Sequence, residues 1–117
     1  MTQELRELAE IVGELKSEGG KSVILVQFHG RTCSLCKFVW SQLNPMVERL
    51  DEKIRERVKL LQIDVIVNPR YAIHYKVKAI PTIMMFIVEG GEVQEPILYE
   101  KPISIPSIKE RIIEELS

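Results

Sequence analysis

Hydrophobic residues recur along the chain with two spacings, one typical of helices and one typical of strands. Between Thr2 and Lys16 they fall three or four positions apart, which predicts an amphipathic helix that ends before a pair of glycines. Ser22 to Phe28 is an almost continuous run of β-branched and apolar residues, as in a central strand covered on both faces. Helical spacing returns from Cys33 to about Arg57, and we expect a kink at Pro45 because proline removes a backbone N–H.

The second half of the chain alternates between the same two spacings. We expect Asn68 and Ser104 to cap two helices, and Glu-Gly-Gly-Glu at 89–92 to form a hairpin turn. Pro96 places the strand after this turn at a sheet edge, since proline cannot donate a ladder hydrogen bond. The predicted strands are Val58–Asp64, Thr82–Val88 and Val93–Tyr99, and the predicted helices are Pro69–Lys76 and Ile105–Leu116.

This order of elements predicts an α/β fold with a mixed four-stranded sheet and helices on both faces. A chain of 117 residues suits a single domain, which we divide into an N-terminal helix and turn at 1–20 and a core at 22–116. The hydrophobic fraction of 45% supports a packed core and excludes a disordered chain.

Composition also narrows the partners and the location. Sixteen basic and seventeen acidic residues give a net charge of -1, which argues against a general nucleic-acid binder. No apolar run approaches the roughly 20 residues of a membrane span, and the start of the chain is too polar for a secretory signal. We therefore expect a cytoplasmic, soluble protein without a membrane partner. Abundant isoleucine, glutamate and lysine favour a thermophilic source.

The two cysteines, Cys33 and Cys36, form a Cys-x-x-Cys motif at the start of a predicted helix. The unpaired N–H groups and the positive end of the helix favour a thiolate on Cys33, and only the thiolate attacks disulfides. Cys36 lies one turn further on, where it can resolve a mixed disulfide. A zinc site is disfavoured because these cysteines with His29 and His74 lack a second paired spacing, and we expect neither a metal nor another cofactor.

Acidic residues are missing from two stretches, 19–47 and 65–88. If both stretches border one site, its rim is basic and favours disulfide partners with acidic flanks. The alternative is an ordinary solvated surface. The basic residues in these gaps that we place at the rim are Arg31, Lys37, Lys76 and Lys78.

The order of motifs resembles the thioredoxin superfamily: a strand, FHGRTCSLCK and a helix, then QID, then NPRYAIHYKVKAIPT, and a strand-GG-strand hairpin, over Ser22 to Leu116. The resemblance implies that Pro81 is cis and packs against the cysteine pair. It also implies that the backbone of Ile80 pairs with an extended substrate segment, a form of strand addition. Thr82 and Arg31 would shape the rim of this substrate site.

The sequence departs from the family pattern at several positions. Where the family commonly has Trp-Cys-Gly-Pro-Cys, residues 32–36 read Thr-Cys-Ser-Leu-Cys. Gln27 replaces a frequent buried aspartate, and His29 replaces a tryptophan, so we expect these two residues to tune proton transfer. The usual first strand is not evident, which would leave Val58–Val67 at a sheet edge and allow a homodimer through that edge.

We therefore predict a thiol-disulfide oxidoreductase that acts on protein disulfides through Cys33 and Cys36, and that is recycled by an unidentified reductase or dithiol donor. The direction of the reaction stays open, since it depends on the reduction potential. The alternative is a non-enzymatic thioredoxin-fold binding or assembly module that keeps the cysteine pair as a vestige.

Overall fold

The structure is a computed structural model that describes Glu10, Gly13, Glu14 and residues 20–117. The helix predicted from Thr2 to Lys16 lies largely outside the described residues. Strands in the described part of the chain are β1 (Lys21–His29), β2 (Val58–Asp64), β3 (Thr82–Glu89), β4 (Glu92–Val93) and β5 (Ile97–Tyr99). The helices are α1 (Ser34–Glu48), α2 (Glu52–Arg55), α3 (Pro69–His74) and α4 (Ile105–Leu116).

The strands form one mixed sheet, as predicted. β1 pairs in parallel with β2 and antiparallel with β3, and both β4 and β5 pair antiparallel with β3. The described residues contribute five strands to the sheet rather than the predicted four, because the expected strand Val93–Tyr99 is divided into β4 and β5. Pro96 lies in the gap between them, where its missing N–H cannot contribute to the ladder.

Apolar side chains cover both faces of the sheet. Alternate residues of β1 point to opposite faces, so Val23 and Leu25 pack with α1 and α4, whereas Ile24 and Val26 join a second cluster with Tyr71 of α3. This arrangement confirms helices on both faces. It also explains why β1 reads as a continuous apolar run rather than an alternating one.

The predicted helix from Cys33 to Arg57 is two helices, and the break does not fall at Pro45. α1 continues through Pro45 to Glu48. Asp51 then begins α2, and its side chain accepts a hydrogen bond from the backbone N–H of Lys53 at 3.3 Å. Aspartate competes well for a helix start because its carboxylate satisfies an N–H that has no intrahelical partner.

The remaining boundaries agree closely with the predictions. The side chain of Ser104 caps α4 as expected, accepting from the N–H of Ser107 at 3.3 Å. Asn68 precedes α3 but does not cap it with its side chain; its Nδ2 donates instead to the Asp64 carbonyl at 3.3 Å. The hairpin turn is confirmed, and both central glycines have positive φ, 61° and 81°, which a type I′ turn requires.

Two further observations concern the surface. Within the described chain β2 lies at one edge of the sheet, but the strand stops at Asp64, so only part of the segment Val58–Val67 offers an extended edge. Pairing of this edge with a second copy stays a prediction. None of the helices in the described part of the chain is long and apolar enough to cross a membrane.

Candidate active site

Three connections meet at one end of the sheet. Because β1 and β2 are parallel, both finish there, with His29 opposite Asp64. Because β3 is antiparallel to β1, it begins there, with Thr82 opposite Phe28. The loop before α1, the loop after β2 and the segment before β3 are therefore neighbours.

The cysteine pair lies at the first of these connections. Cys33 and Cys36 form a disulfide with their Cα atoms 5.2 Å apart. Cys33 is the N-cap residue of α1, and its Sγ accepts a hydrogen bond from the backbone N–H of Cys36 at 3.1 Å. Cys33 is partly exposed whereas Cys36 is buried, and the first turn of α1 contains no acidic residue. The predicted position of Cys33 at a helix start is confirmed.

The segment before β3 contains the predicted cis proline. The peptide bond between Ile80 and Pro81 is cis, and Pro81 is buried. Thr82 is also buried, and its Oγ1 donates to the carbonyl of Ala79 at 2.6 Å. The Thr82 side chain therefore closes the loop that contains Pro81 rather than pointing to the rim. Ile80 remains partly exposed beside it.

Gln27 of β1 contacts the backbone of Cys36 in the disulfide. Its side chain is fully buried, and its Nε2 donates to the carbonyl oxygen of Cys36 at 2.8 Å, which joins β1 to the first turn of α1. Its Oε1 has no hydrogen-bond partner among the residues that the structure describes. A buried amide cannot take up a proton at neutral pH, so Gln27 can act on the site only through hydrogen bonding.

One residue of the predicted basic rim, Arg31, lies beside a carboxylate. Arg31 is exposed, and its Nε lies 3.6 Å from Oδ2 of Asp64. The other carboxylate oxygen of Asp64 accepts from the N–H groups of Ile66 and Val67 at 2.8 and 3.1 Å. Asp64 thus orders the loop after β2 and partly compensates the charge of Arg31. His29 is partly exposed, and its carbonyl accepts from Val65 N–H at 2.9 Å.

Two groups with shifted pKa values, Lys21 at the start of β1 and Glu115 of α4, form an ion pair away from the cysteines. A hydrogen bond from Lys21 lowers the pKa of Glu115, and the same hydrogen bond raises the pKa of Lys21. The Lys21 Nζ to Glu115 Oε1 distance is 2.6 Å, and Arg111 Nε lies 2.7 Å from Oε2. Among the described residues no group of three or more histidine, cysteine or acidic side chains could hold a metal ion.

Sequence reasoning missed an apolar groove on the α1 side of the disulfide. We call it the α1 groove; its cavity measures about 420 Å³, and Leu35, Phe38, Pro81, Lys101, Pro102 and Ile103 line it. A signal was present, since Leu35 and Phe38 are three positions apart on α1 and lie outside its buried stripe. The opposite wall could not be anticipated, because it comes from a segment more than sixty residues later that includes a second cis bond before Pro102.

Comparison with known proteins agrees with these features. The family model named Thioredoxin matches residues 9–108. The chain is 33% identical to the thioredoxin of Bacillus subtilis over 86 residues, which covers 74% of this chain and 77% of that protein. It is 32% identical to the thioredoxin of Rickettsia bellii over 69 residues, 59% of this chain and 60% of that protein.

Solved structures show the same fold at lower sequence identity. The crystal structure of chloroplastic thioredoxin z aligns with a TM-score of 0.70 and 22% identity, over 97% of this chain and 89% of that chain. The thioredoxin of Nicotiana alata aligns with a TM-score of 0.68 and 19% identity, over 99% of this chain and 89% of that chain.

Proposed function

Because the chain belongs to the thioredoxin family, we propose that it is a thiol-disulfide oxidoreductase that reduces disulfides in other proteins. The family and the Cys33–Cys36 pair support thiol-disulfide oxidoreductase chemistry in general. The preference for protein disulfides and the reducing direction belong to the proposal. The observation that carries it is the Cys36 N–H that points at Cys33 Sγ from the first turn of α1.

The proposed cycle begins with the reduced protein. The Cys33 thiolate attacks one sulfur of the substrate disulfide; a Cys33–substrate bond forms, the substrate bond breaks, and the first substrate sulfur leaves and takes up a proton. Cys36 then loses its proton and attacks Cys33 Sγ, which forms the Cys33–Cys36 bond and releases the second substrate thiol. The substrate gains two electrons, and a dithiol donor or reductase returns two electrons to the protein.

The surrounding residues have distinct proposed roles. The backbone of Ile80, next to cis Pro81, pairs with an extended substrate segment, because a partly exposed main chain offers hydrogen bonds with little demand on sequence. Gln27 holds the Cys36 backbone, and His29 tunes proton transfer from the end of β1. Arg31 contributes to the rim together with Asp64, and Thr82 keeps the proline loop closed.

Serine substitutions test the cycle. We expect Cys33→Ser to abolish the reduction of a protein disulfide such as that of insulin, and Cys36→Ser to accumulate mixed disulfides, because the second step is then lost. Ser41→Ala, on the exposed side of α1, is the matched control and should reduce the substrate at the wild-type rate. An unchanged rate in either cysteine variant would end the proposal.

Alkylation separates an enzyme from a binding module. In the reduced protein we expect Cys33 to react with iodoacetamide with a midpoint below the pKa of about 8.5 of a free cysteine, since the helix start favours the thiolate. A midpoint near 8.5 together with no turnover would favour the non-enzymatic module. Equilibration with glutathione at known ratios then gives the reduction potential, and a potential more oxidising than the glutathione poise would reverse the proposed direction.

A further inference from the structure

The α1 groove exposes large apolar side chains beside the reacting disulfide. Phe38 is 57% exposed and Leu35 is 45% exposed, although burying such a side chain is worth about 1.5–3 kcal/mol. Pro102 and Ile103 form the opposite wall, and Lys101 lies at the edge. The cavity of about 420 Å³ falls within the range of about 300–1,000 Å³ of pockets that take ligands. Apolar walls of this extent next to a site indicate a binding surface.

The groove is continuous with the substrate site proposed above. Pro81, whose neighbour Ile80 offers its backbone to the substrate, is part of the groove wall, and Leu35 lies between the two cysteines. Side chains of an extended segment alternate between two directions, so those that point toward α1 enter the groove. In such strand addition the backbone gives affinity and the pockets give selectivity.

Charged side chains at the rim of the groove bear on which residues of a substrate it would favour. Lys101 lines the groove and is exposed, and Lys37 follows the disulfide on the exposed surface of α1. The first turn of α1 contains no acidic residue, and the neighbouring Glu100 does not line the groove. A carboxylate beside the apolar side chain of the partner would therefore meet lysines rather than acids.

Granted the proposed function, we infer that the α1 groove selects protein disulfides in which a cysteine is flanked by a bulky apolar side chain and a carboxylate. A second copy of the chain is the other occupant to consider. A second copy seated against Pro81 and Leu35 would cover the Cys33–Cys36 pair and block exchange, whereas a substrate occupies the groove only during turnover. The site thus favours a transient partner with an apolar anchor.

Disulfide-linked peptides provide the test, using protein reduced beforehand and freed of reductant so that each molecule reacts once. The residues beside the peptide cysteine are varied among alanine, phenylalanine, phenylalanine with glutamate, and phenylalanine with lysine. We expect the phenylalanine peptides to react about tenfold faster than the alanine peptide. Glutamate should add a further two- to fivefold over lysine, roughly the worth of an exposed ion pair.

Equal rates for the phenylalanine and alanine peptides would overturn the inference and leave the proposed function standing. Absence of reaction with every peptide would overturn the proposed function, and this inference with it. The two failures are therefore distinguishable.

Variants locate the preference on the molecule. Phe38→Ala should bring the phenylalanine-to-alanine ratio close to one, and Lys101→Glu should reverse the preference for glutamate over lysine. Val93→Ala removes another exposed apolar side chain, 37% exposed, at the hairpin, the opposite end of β3 from the site, and should keep both preferences. If Phe38→Ala keeps the ratio, the groove is not the selective surface. Sedimentation tests the other occupant: a dimer that Phe38→Ala dissociates would assign the groove to a second copy, whereas a monomer, or a dimer that Phe38→Ala leaves intact, supports a substrate in the groove.

Discussion

The buried amide of Gln27 has one atom with a hydrogen-bond partner, Nε2, and one without a partner among the described residues, Oε1. Substitutions can separate the contributions of these two atoms to the free energy of unfolding. Gln27→Leu removes the hydrogen bond to the Cys36 carbonyl, worth about 1 kcal/mol. It also removes Oε1, whose burial without a partner among the described residues costs about 1–3 kcal/mol. The free energy of unfolding should therefore stay unchanged or rise by up to about 2 kcal/mol.

Gln27→Glu keeps the length of the side chain and replaces the amide by a carboxyl. Burial raises the pKa of a carboxyl at such a site, because the charged form loses its hydration. Keeping a glutamate with an unfolded pKa of about 4.3 protonated at pH 7 costs about 1.4 kcal/mol for each of about 2.7 pH units, or up to about 4 kcal/mol. A raised acid pKa means that stability is present below about pH 4.3 and is lost as the pH rises, so this variant should approach wild type in acid and be weakest at pH 7.

Urea denaturation of the oxidised proteins at pH 4.5 and pH 7 measures both effects. Gln62→Leu is the matched control, since Gln62 pairs in register with Gln27 on β2 but is exposed, and its substitution should change stability by less than about 0.5 kcal/mol. A loss of more than about 2 kcal/mol in Gln27→Leu would show that Oε1 has a partner in solution. A pH-independent Gln27→Glu variant would refute the burial of this position.

Other substitutions test the loop, the ion pairs and the core. Gly30→Ala would place a Cβ 3.0 Å from Cδ1 of Ile80; because that methyl group ends a flexible side chain, we expect a loss of about 1 kcal/mol in urea denaturation, and a loss above about 3 kcal/mol would contradict this packing. Glu115→Gln should lose less than about 1 kcal/mol at pH 7, because solvent screens the pair with Lys21. Since the pKa of Glu115 is lowered in the folded state, this difference should shrink as the pH falls below the unfolded pKa of about 4.3 and through the lowered folded pKa, and a difference that does not shrink in acid would count against it. Leu43→Ala, at a fully buried position of α1, should cost about 2–5 kcal/mol in the same assay; a cost below about 1 kcal/mol would mean that the core closes over the space.

Most of the fold could be predicted from local patterns. β1 and β3 are buried on both faces, so their apolar runs are continuous and their limits differ from the predictions by only one residue at an end. Ser104 caps α4 as expected because its side chain meets a backbone N–H only three residues away. Features that depend on a few adjacent residues were therefore accessible to sequence reasoning.

Features that depend on residues far apart in the sequence could not be predicted from local patterns. The local pattern around Asp51 does not show that its carboxylate begins a new helix instead of lying within a longer one. The pairing of Arg31 with Asp64, which weakens the predicted basic rim, joins residues that only the parallel register of β1 and β2 brings together. The α1 groove likewise needs Phe38 and Ile103, which most of the strands separate in the sequence.

Because the sulfur of Cys33 serves as the helix N-cap, one atom has both a structural and a chemical duty. Sulfur keeps lone pairs whether it is a thiolate, is joined to a substrate or is joined to Cys36, so the Cys36 amide retains an acceptor through every state of the exchange. The first turn of α1 therefore need not unfold and refold with each turnover. Serine is itself a preferred N-cap residue, so Cys33→Ser should remove the disulfide exchange and keep the start of α1 folded.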